Sequence, residues 1–149
     1  MSAQTLYKEG KDYQQISLDA LQKYLQKQVS LESFAYESRT PGAQTIMITS
    51  PELTCICPFS DLPDFGVVKI EYVPQEKCLE LKSFKLFLHA FREIKIFHEA
   101  ITEVIFEAFL TEISPQSAKI TVEMNPRGNV TTTCCKHFPG QKELKKNKA

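Results

Sequence analysis

Two stretches of alternating apolar and polar residues, separated by a proline-bounded loop, limit the folds open to this chain. Residues 45–57 are rich in Ile and Thr, and residues 65–73 alternate again. Such alternation is typical of strands with one buried face. Pro58 and Pro63 lie in the intervening loop and cannot donate to a strand ladder. The sequence therefore predicts two strands joined by a short loop.

The following residues predict two helices and then two further strands. Helical spacing extends over about 82–94 and 99–113, and strands are predicted at 119–124 and 129–135. A turn at Asn125-Pro126-Arg127-Gly128 joins the last two strands. The predicted order is β-β-α-α-β-β, which is an α+β fold with a hairpin on each side of a helical pair.

The chain of 149 residues has the length of one domain, which we place at 1–149. Its polar ends, 1–17 and 141–149, are expected to be loose. A short amphipathic helix is predicted after the first of these, although a strand stays possible, from the spacing of Leu18, Leu21, Tyr24 and Leu25. The second helix of the predicted pair is apolar on two sides, which suggests subunit contacts.

The charge balance argues against a nucleic acid or an anionic membrane as the main partner. Eighteen basic residues balance eighteen acidic ones, whereas such partners usually require a basic excess. No segment has the roughly twenty apolar residues of a membrane helix, and the N-terminus lacks a signal-peptide core. A cytoplasmic protein is expected, and its five cysteines are then buried, metal-binding or catalytic rather than paired in disulfides.

Cys57 and Asp64 are candidates for catalysis. Cys57 ends the first predicted strand, where a rigid backbone can present a thiol to a ligand, and Asp64 ends the loop that follows. A thiol and a carboxylate make a plausible nucleophile and proton-transfer pair. A buried cysteine with an Asp in its turn is the more common arrangement.

Zinc is another possible role for the cysteines. Soft ligands are available from Cys55, Cys57, Cys134, Cys135 and His137. However, their spacings are not those of common zinc knuckles. On a strand, Cys55 and Cys57 would point to one face while Cys134 and Cys135 point to opposite faces.

Two further groups of polar residues have a structural and a functional interpretation. On the first predicted helix, one stripe contains Lys82, Lys85, His89 and Arg92. It is either a solvated basic face, the more common case, or a phosphate-binding stripe. At the start of the second helix, Glu99 either complements the helix dipole or accepts hydrogen bonds from a guanine-like ring edge, with His98 as a donor beside it.

Four segments of the chain are distinctive when taken together: ELKSFKLF at 80–87, CPFSDLPDF at 57–65, FHE at 97–99 and NPRG at 125–128. They resemble the QueF family of NADPH-dependent 7-cyano-7-deazaguanine reductases. The first is similar to the family motif and the second to its catalytic loop. Residues 97–99, FHE, resemble its substrate-anchoring element, and 125–128, NPRG, its late turn. The chain length resembles that of the short, single-domain branch.

The resemblance implies a tunnelling fold, in which subunits join their sheets into a barrel with the helices outside, and a homo-oligomer of two stacked pentamers. It implies reduction of the nitrile of 7-cyano-7-deazaguanine to an aminomethyl group, on the route to the queuosine base of tRNA. Cys57 would form a covalent thioimidate with Asp64 as proton partner, NADPH would be the hydride donor, and no metal would be needed. The implied substrate-binding residues are His98, Glu99, Glu80 and Ser83, and the implied cofactor-binding residues are Lys82, Lys85, Arg92 and Arg127.

Two positions depart from the family pattern. Asn129 stands where a second glycine is expected after Arg127-Gly128, and 100–102 contain no second cysteine for a protective disulfide. Two rival functions stay open at this point. One is a zinc-dependent purine-ring hydrolase that resembles GTP cyclohydrolase I on the same fold, and the other is a non-catalytic purine-binding module.

Overall fold

The predicted order of strands and helices is found in the computed structural model, which describes residues 16–140. The elements are α1 (Leu18–Gln28), β1 (Ser33–Ala35), β2 (Ile46–Ile56), β3 (Pro63–Val73), β4 (Lys77–Leu79), α2 (Leu81–His89), α3 (His98–Ile113), β5 (Ser117–Met124) and β6 (Thr133–Phe138). Elements β2, β3, α2, α3, β5 and β6 form the predicted β-β-α-α-β-β core, so the α+β fold class is confirmed.

The main sheet is antiparallel, with the strand order β2-β3-β5-β6. Because side chains alternate along each strand, one face of the sheet is buried while the other carries exposed charged pairs such as Lys69–Glu123. The helices cover the buried face, with α2 contacting β2 and α3 contacting β5 and β6. The core on this face includes Val68, Ile70, Tyr72, Ile120 and Val122.

The second apolar side of α3 has an explanation within the chain. Helix α1 is the amphipathic helix that the spacing of its leucines predicts, and it buries Leu21 and Leu25. It packs on α3, where Gln22 donates a hydrogen bond to Glu107. Helix α3 is therefore covered by the sheet and by α1, and its two apolar sides are not in themselves a sign of subunit contacts.

The N-terminal boundary also differs by two residues from the prediction. Ser17, placed in the loose segment, caps α1 by accepting from the Ala20 N–H, and the Ile16 N–H donates to the Lys95 carbonyl at 3.2 Å. The rest of that segment, 1–15, and the predicted loose tail 141–149 lie outside the described residues. No helix within 16–140 is long and apolar enough to span a membrane.

Helix α2 is shorter than predicted, and this changes the position of Arg92. The helix ends at His89 and tightens into a turn, in which the Arg92 N–H donates to the His89 carbonyl at 3.3 Å. The chain is then drawn to β2, because the Ile56 N–H donates to Ile94 O and the Ile96 N–H to Ile56 O. Arg92 therefore lies outside the helix and does not continue the predicted stripe.

Three strand predictions need correction. Strand β3 begins at Pro63, so Asp64 belongs to the strand and not to the loop; a proline is tolerated as the first residue of a strand. Strand β6 lies at Thr133–Phe138, later than predicted, because 127–130 are used by a tight turn. The small β1–β4 sheet was not predicted, since each strand has only three residues.

Candidate active site

Cys57 is presented at the end of β2 by a closed loop. Its N–H donates to the Leu62 carbonyl at 2.9 Å, and its carbonyl accepts from the Asp61 N–H at 3.0 Å. Asp61 has φ of 57°, a backbone conformation that Asp tolerates better than most residues. Cys57 is half-buried, so the loop does not enclose this residue completely.

Cys55, two residues earlier, has a different environment. It is fully buried, and its Sγ lies 3.9 Å from the Ile96 carbonyl oxygen. Burial, followed by the nearby charges of Asp64 and Cys57, raises the pKa of Cys55 to about 12. The thiolate is the nucleophilic form of cysteine, so Cys55 stays an unreactive thiol and Cys57 is the candidate nucleophile.

Asp64 lies opposite Cys55 in the β2–β3 ladder and is only 6% exposed. One carboxylate oxygen, Oδ2, is 3.1 Å from His98 Nε2, and the other, Oδ1, is 3.0 Å from Arg127 Nε. Arg127 also donates to the carbonyl of Pro63. A single buried carboxylate thus joins β3, the start of α3 and the turn between β5 and β6.

The segment between the two helices brings His98 to this carboxylate. Lys95 Nζ lies 2.7 Å from Asp61 Oδ1, which ties the segment to the Cys57 loop. The rings of Phe59 and Phe97 meet edge to face, with centroids 5.9 Å apart. The sequence analysis missed the Lys95–Asp61 pair, and no local pattern points to it, because it depends on how the segment returns to β2.

The cysteines of β2 and β6 are far apart. These strands form opposite edges of the sheet, and three strand spacings correspond to about 14 Å. On β6, Cys135 Sγ lies 3.5 Å from His137 Nε2, while Cys134 lies on the side of Thr102 and Glu99. Within residues 16–140 no group of three or more His, Cys, Asp or Glu side chains could hold a metal ion. The predicted zinc alternative therefore gains no support.

Comparison with known proteins identifies the family. The profile of the QueF-like protein family matches residues 63–143. A reductase of Chlorobium chlorochromatii is 40% identical over 112 residues, which are 74% of this chain and 95% of that protein. A reductase of Prochlorococcus marinus is 48% identical over 87 residues, which are 58% of this chain and 62% of that protein. Both are named NADPH-dependent 7-cyano-7-deazaguanine reductase.

The chain belongs to the QueF family. A solved structure, the archaeosine synthase QueF-Like in the apo form, is similar with a TM-score of 0.59 at 22% identity, covering 68% of this chain and 98% of that one. This likeness supports the predicted tunnelling fold.

The QueF motif at 80–87 opens helix α2. Glu80 is the N-cap, and its carboxylate accepts from the N–H groups of Lys82 and Ser83 at 2.8 and 2.7 Å. These hydrogen bonds lower the pKa of Glu80. The Ser83 hydroxyl donates to the Glu80 carbonyl and accepts from the Glu32 N–H. Both side chains therefore stabilise the start of α2 in this subunit, and their substrate-binding roles stay predictions.

The cations of the QueF motif lie on the surface of α2. Lys82 and Lys85 are exposed and one helical turn apart, and their cofactor-binding role stays a prediction. His89 is engaged elsewhere, since its Nε2 lies 3.7 Å from Glu52 Oε2. Arg92 is exposed beyond the helix. The structure thus groups the two lysines, separates Arg92 from their stripe and pairs Arg127 with Asp64.

Glu99 lies in the first turn of α3 and is exposed. It is close to Cys134 of β6, where burial and, to a smaller extent, the charge of Glu99 raise the pKa of the thiol. His98, its neighbour, is held by Asp64. The element predicted to anchor the substrate is therefore adjacent to the Asp64 carboxylate.

Proposed function

We propose that this protein reduces the nitrile of 7-cyano-7-deazaguanine to the aminomethyl group of 7-aminomethyl-7-deazaguanine, using NADPH. Membership of the QueF family supports this proposal, as does the name of the Chlorobium chlorochromatii relative, 95% of whose length this chain covers. The observation that carries it is the arrangement around Asp64. This buried carboxylate contacts His98 and faces Cys55 in the β2–β3 ladder, and the half-buried Cys57 lies two residues further along the same chain segment. A nitrile carbon requires a nucleophile and its nitrogen a proton source. The product would serve the queuosine base of tRNA.

In the first step, the Cys57 sulfur forms a bond to the nitrile carbon. One carbon–nitrogen π bond becomes a lone pair on nitrogen, which takes up a proton to give a thioimidate, and nothing is expelled. Asp64 accepts the thiol proton and passes it to that nitrogen. Because an ionised carboxylate disfavours a neighbouring thiolate, Asp64 acts as a proton partner and does not stabilise a resting thiolate.

NADPH, when bound, supplies the hydrides that convert a nitrile to an amine. We assign Lys82 and Lys85 to its phosphate, with Arg92 as a further cation at the helix end. Glu99 accepts hydrogen bonds from the pyrrolopyrimidine edge of the substrate, and His98 lies beside it. The site must exclude water, because a free imine would hydrolyse to an aldehyde.

The decisive experiment detects the covalent adduct without NADPH. Mixing protein and nitrile should raise the protein mass by the whole mass of the substrate, since addition of a thiol expels no group. The adduct should map to the peptide containing Cys57 and disappear in Cys57→Ala. The matched control, Cys55→Ala, should still form it. An adduct that persists in Cys57→Ala, or that appears only on Cys55, would refute the assignment of the nucleophile.

We also propose a ring-based homo-oligomer in the cytosol, with two stacked pentamers as the expected form. Strands β2 and β6 are the two edges of the main sheet, and sheet edges need partners. All five cysteines are free, as a reducing compartment requires. An active, monodisperse monomer in light scattering would contradict the assembly.

A further inference from the structure

Arg127 contacts the carboxylate of Asp64 rather than standing free as a cation. Its Nε lies 3.0 Å from Asp64 Oδ1, and its terminal nitrogen donates to the carbonyl of Pro63. The guanidinium thus spans the side chain and the preceding backbone of one strand segment. We propose that Arg127 is a positioning residue, which fixes the Asp64 carboxylate for proton transfer with Cys57. This inference rests on the proposed function.

The turn that carries Arg127 has little freedom. Arg127 and Val130 exchange two backbone hydrogen bonds of 2.9 and 3.0 Å. The two residues between them, Gly128 and Asn129, have φ of 55° and 63°, as in tight hairpin turns with positive φ at both central positions. Asn tolerates this conformation better than most side chains, which explains how the turn forms without the second glycine of the family pattern.

The start of the turn is also bound to β3. The Asn125 N–H donates to the Phe65 carbonyl at 2.8 Å. At Gly66, an added Cβ would lie 2.5 Å from Met124 Sδ and 2.8 Å from the Glu123 carbonyl oxygen, so β5 approaches β3 closely there. The guanidinium is therefore delivered to Asp64 by backbone contacts between β3 and the end of β5, where the turn begins.

The division of contacts on Asp64 supports a positioning role. The Asp64 side chain is 8% exposed, whereas that of Arg127 is 43% exposed. His98 occupies Oδ2 and Arg127 occupies Oδ1, and each carboxylate oxygen has a second lone pair. With both oxygens engaged, the carboxylate has one orientation, in which these lone pairs stay available to a thiol proton. Without Arg127, only the His98 contact would define it.

A positioning role and a cofactor-binding role predict different kinetics. A residue that binds only NADPH has no effect on addition of the Cys57 thiol to the nitrile, because that step takes place without NADPH. A residue that orients Asp64 affects this step directly. The two roles can therefore be separated by measuring the rate of adduct formation without NADPH and, independently, the KM for NADPH.

We expect Arg127→Ala to slow cofactor-free adduct formation about 100-fold, the size of effect associated with a misplaced catalytic group. Arg127→Lys should recover part of the rate, since lysine keeps the charge but lacks the planar fork that reaches two acceptors. The measurement is the rise of adduct mass with time in the full chain mixed with 7-cyano-7-deazaguanine. Thermal unfolding of each variant verifies that it is folded, and Arg127→Gln replaces Arg127→Ala if the alanine variant is not.

The matched control is Arg39→Ala, which removes an exposed arginine far from β3 in sequence and should form the adduct at the wild-type rate. Wild-type rates in folded Arg127→Ala, with or without a raised KM for NADPH, would overturn the inference and leave the proposed function intact. A rate for Arg127→Lys no higher than for Arg127→Ala would also overturn it. If the wild-type protein itself forms no adduct, the thiol chemistry of the proposed function is wrong and the inference falls with it.

Discussion

Replacing Asp64 by Asn tests whether one carboxylate both joins three chain segments and serves the proposed chemistry. Asn has nearly the same size, so no cavity forms. The substitution removes the negative charge that Arg127 and His98 contact at 3.0 and 3.1 Å. It also introduces an amide that must place either its oxygen or its donor group toward each partner. The change is thus electrostatic, in a carboxylate that is 8% exposed.

The expected loss of stability follows from the exposure of the partners. Removing one member of a fully buried ion pair costs about 3–5 kcal/mol, whereas exposed pairs contribute about 0–1 kcal/mol. Arg127 is 43% exposed and can turn to water, so its share is near the surface value. His98 is 23% exposed, so its hydrogen bond to a charged group is placed at the lower end of the usual range, about 1.5 kcal/mol. With about 0–1 kcal/mol for Arg127, the sum is about 1.5–2.5 kcal/mol.

For a chain of this length, that loss corresponds to a fall in Tm of roughly 3–8 °C, measured by circular dichroism. Adduct formation in the same variant should slow by about 100-fold or more, the usual contribution of a positioned proton donor or acceptor. The control is Asp61→Asn, in the loop just before β3, whose side chain is 43% exposed in its pair with Lys95. Its Tm should change by less than about 2 °C. An unchanged Tm for Asp64→Asn, or a rate of adduct formation equal to that of the wild type, would refute the reasoning.

Three other predictions concern the close strand contact, the substrate and the cofactor. Gly66→Ala should lower the free energy of unfolding by about 1–3 kcal/mol, because the added Cβ would lie 2.8 Å from the Glu123 backbone oxygen. The control is Gly140→Ala, where an added Cβ meets nothing within 4 Å. Equal denaturation midpoints for the two variants would contradict the argument. Glu99→Gln should weaken nitrile binding by about 2–4 kcal/mol, measured calorimetrically in a Cys57→Ala background, and unchanged affinity would exclude the anchoring role; Glu103→Gln, one turn further along α3, should bind normally. The wild type should prefer NADPH strongly over NADH. Lys82→Ala or Lys85→Ala should raise the KM for NADPH and reduce that preference. Equal use of both cofactors by the wild type would contradict the assignment of the lysines to the phosphate.

The order of the core elements could be predicted from the sequence because it is encoded locally. Alternation of side chains predicted β2 and β3, and helical spacing predicted α2 and α3. The end of α2 could not be predicted in this way. It depends on hydrogen bonds between Ile56 and the 94–96 segment, which only the folded chain brings together. The consequence is that Arg92 was placed on a helix that stops before it.

The site shows the same limit more clearly. The thiol of Cys57, the carboxylate of Asp64 and the imidazole of His98 were each identified from sequence, since their residue types and positions next to elements suggest chemistry. The partner of Arg127 was not, because the residues around an exposed arginine in a turn do not indicate where its guanidinium will bind. Resemblance assigned it to the cofactor, and the fold places it on Asp64.

This contact gives the late turn a role that its glycine and asparagine do not reveal. The turn needs positive φ at two consecutive positions, a condition that Gly128 and Asn129 both meet. What the site requires is therefore the backbone path that delivers Arg127, and the residue type at position 129 matters only as far as it permits that path. Because the same turn is anchored at Phe65, one residue after Asp64, any shift of β5 against β3 moves the guanidinium relative to the carboxylate. Packing of the sheet and orientation of the proposed proton partner are thus coupled through a single arginine.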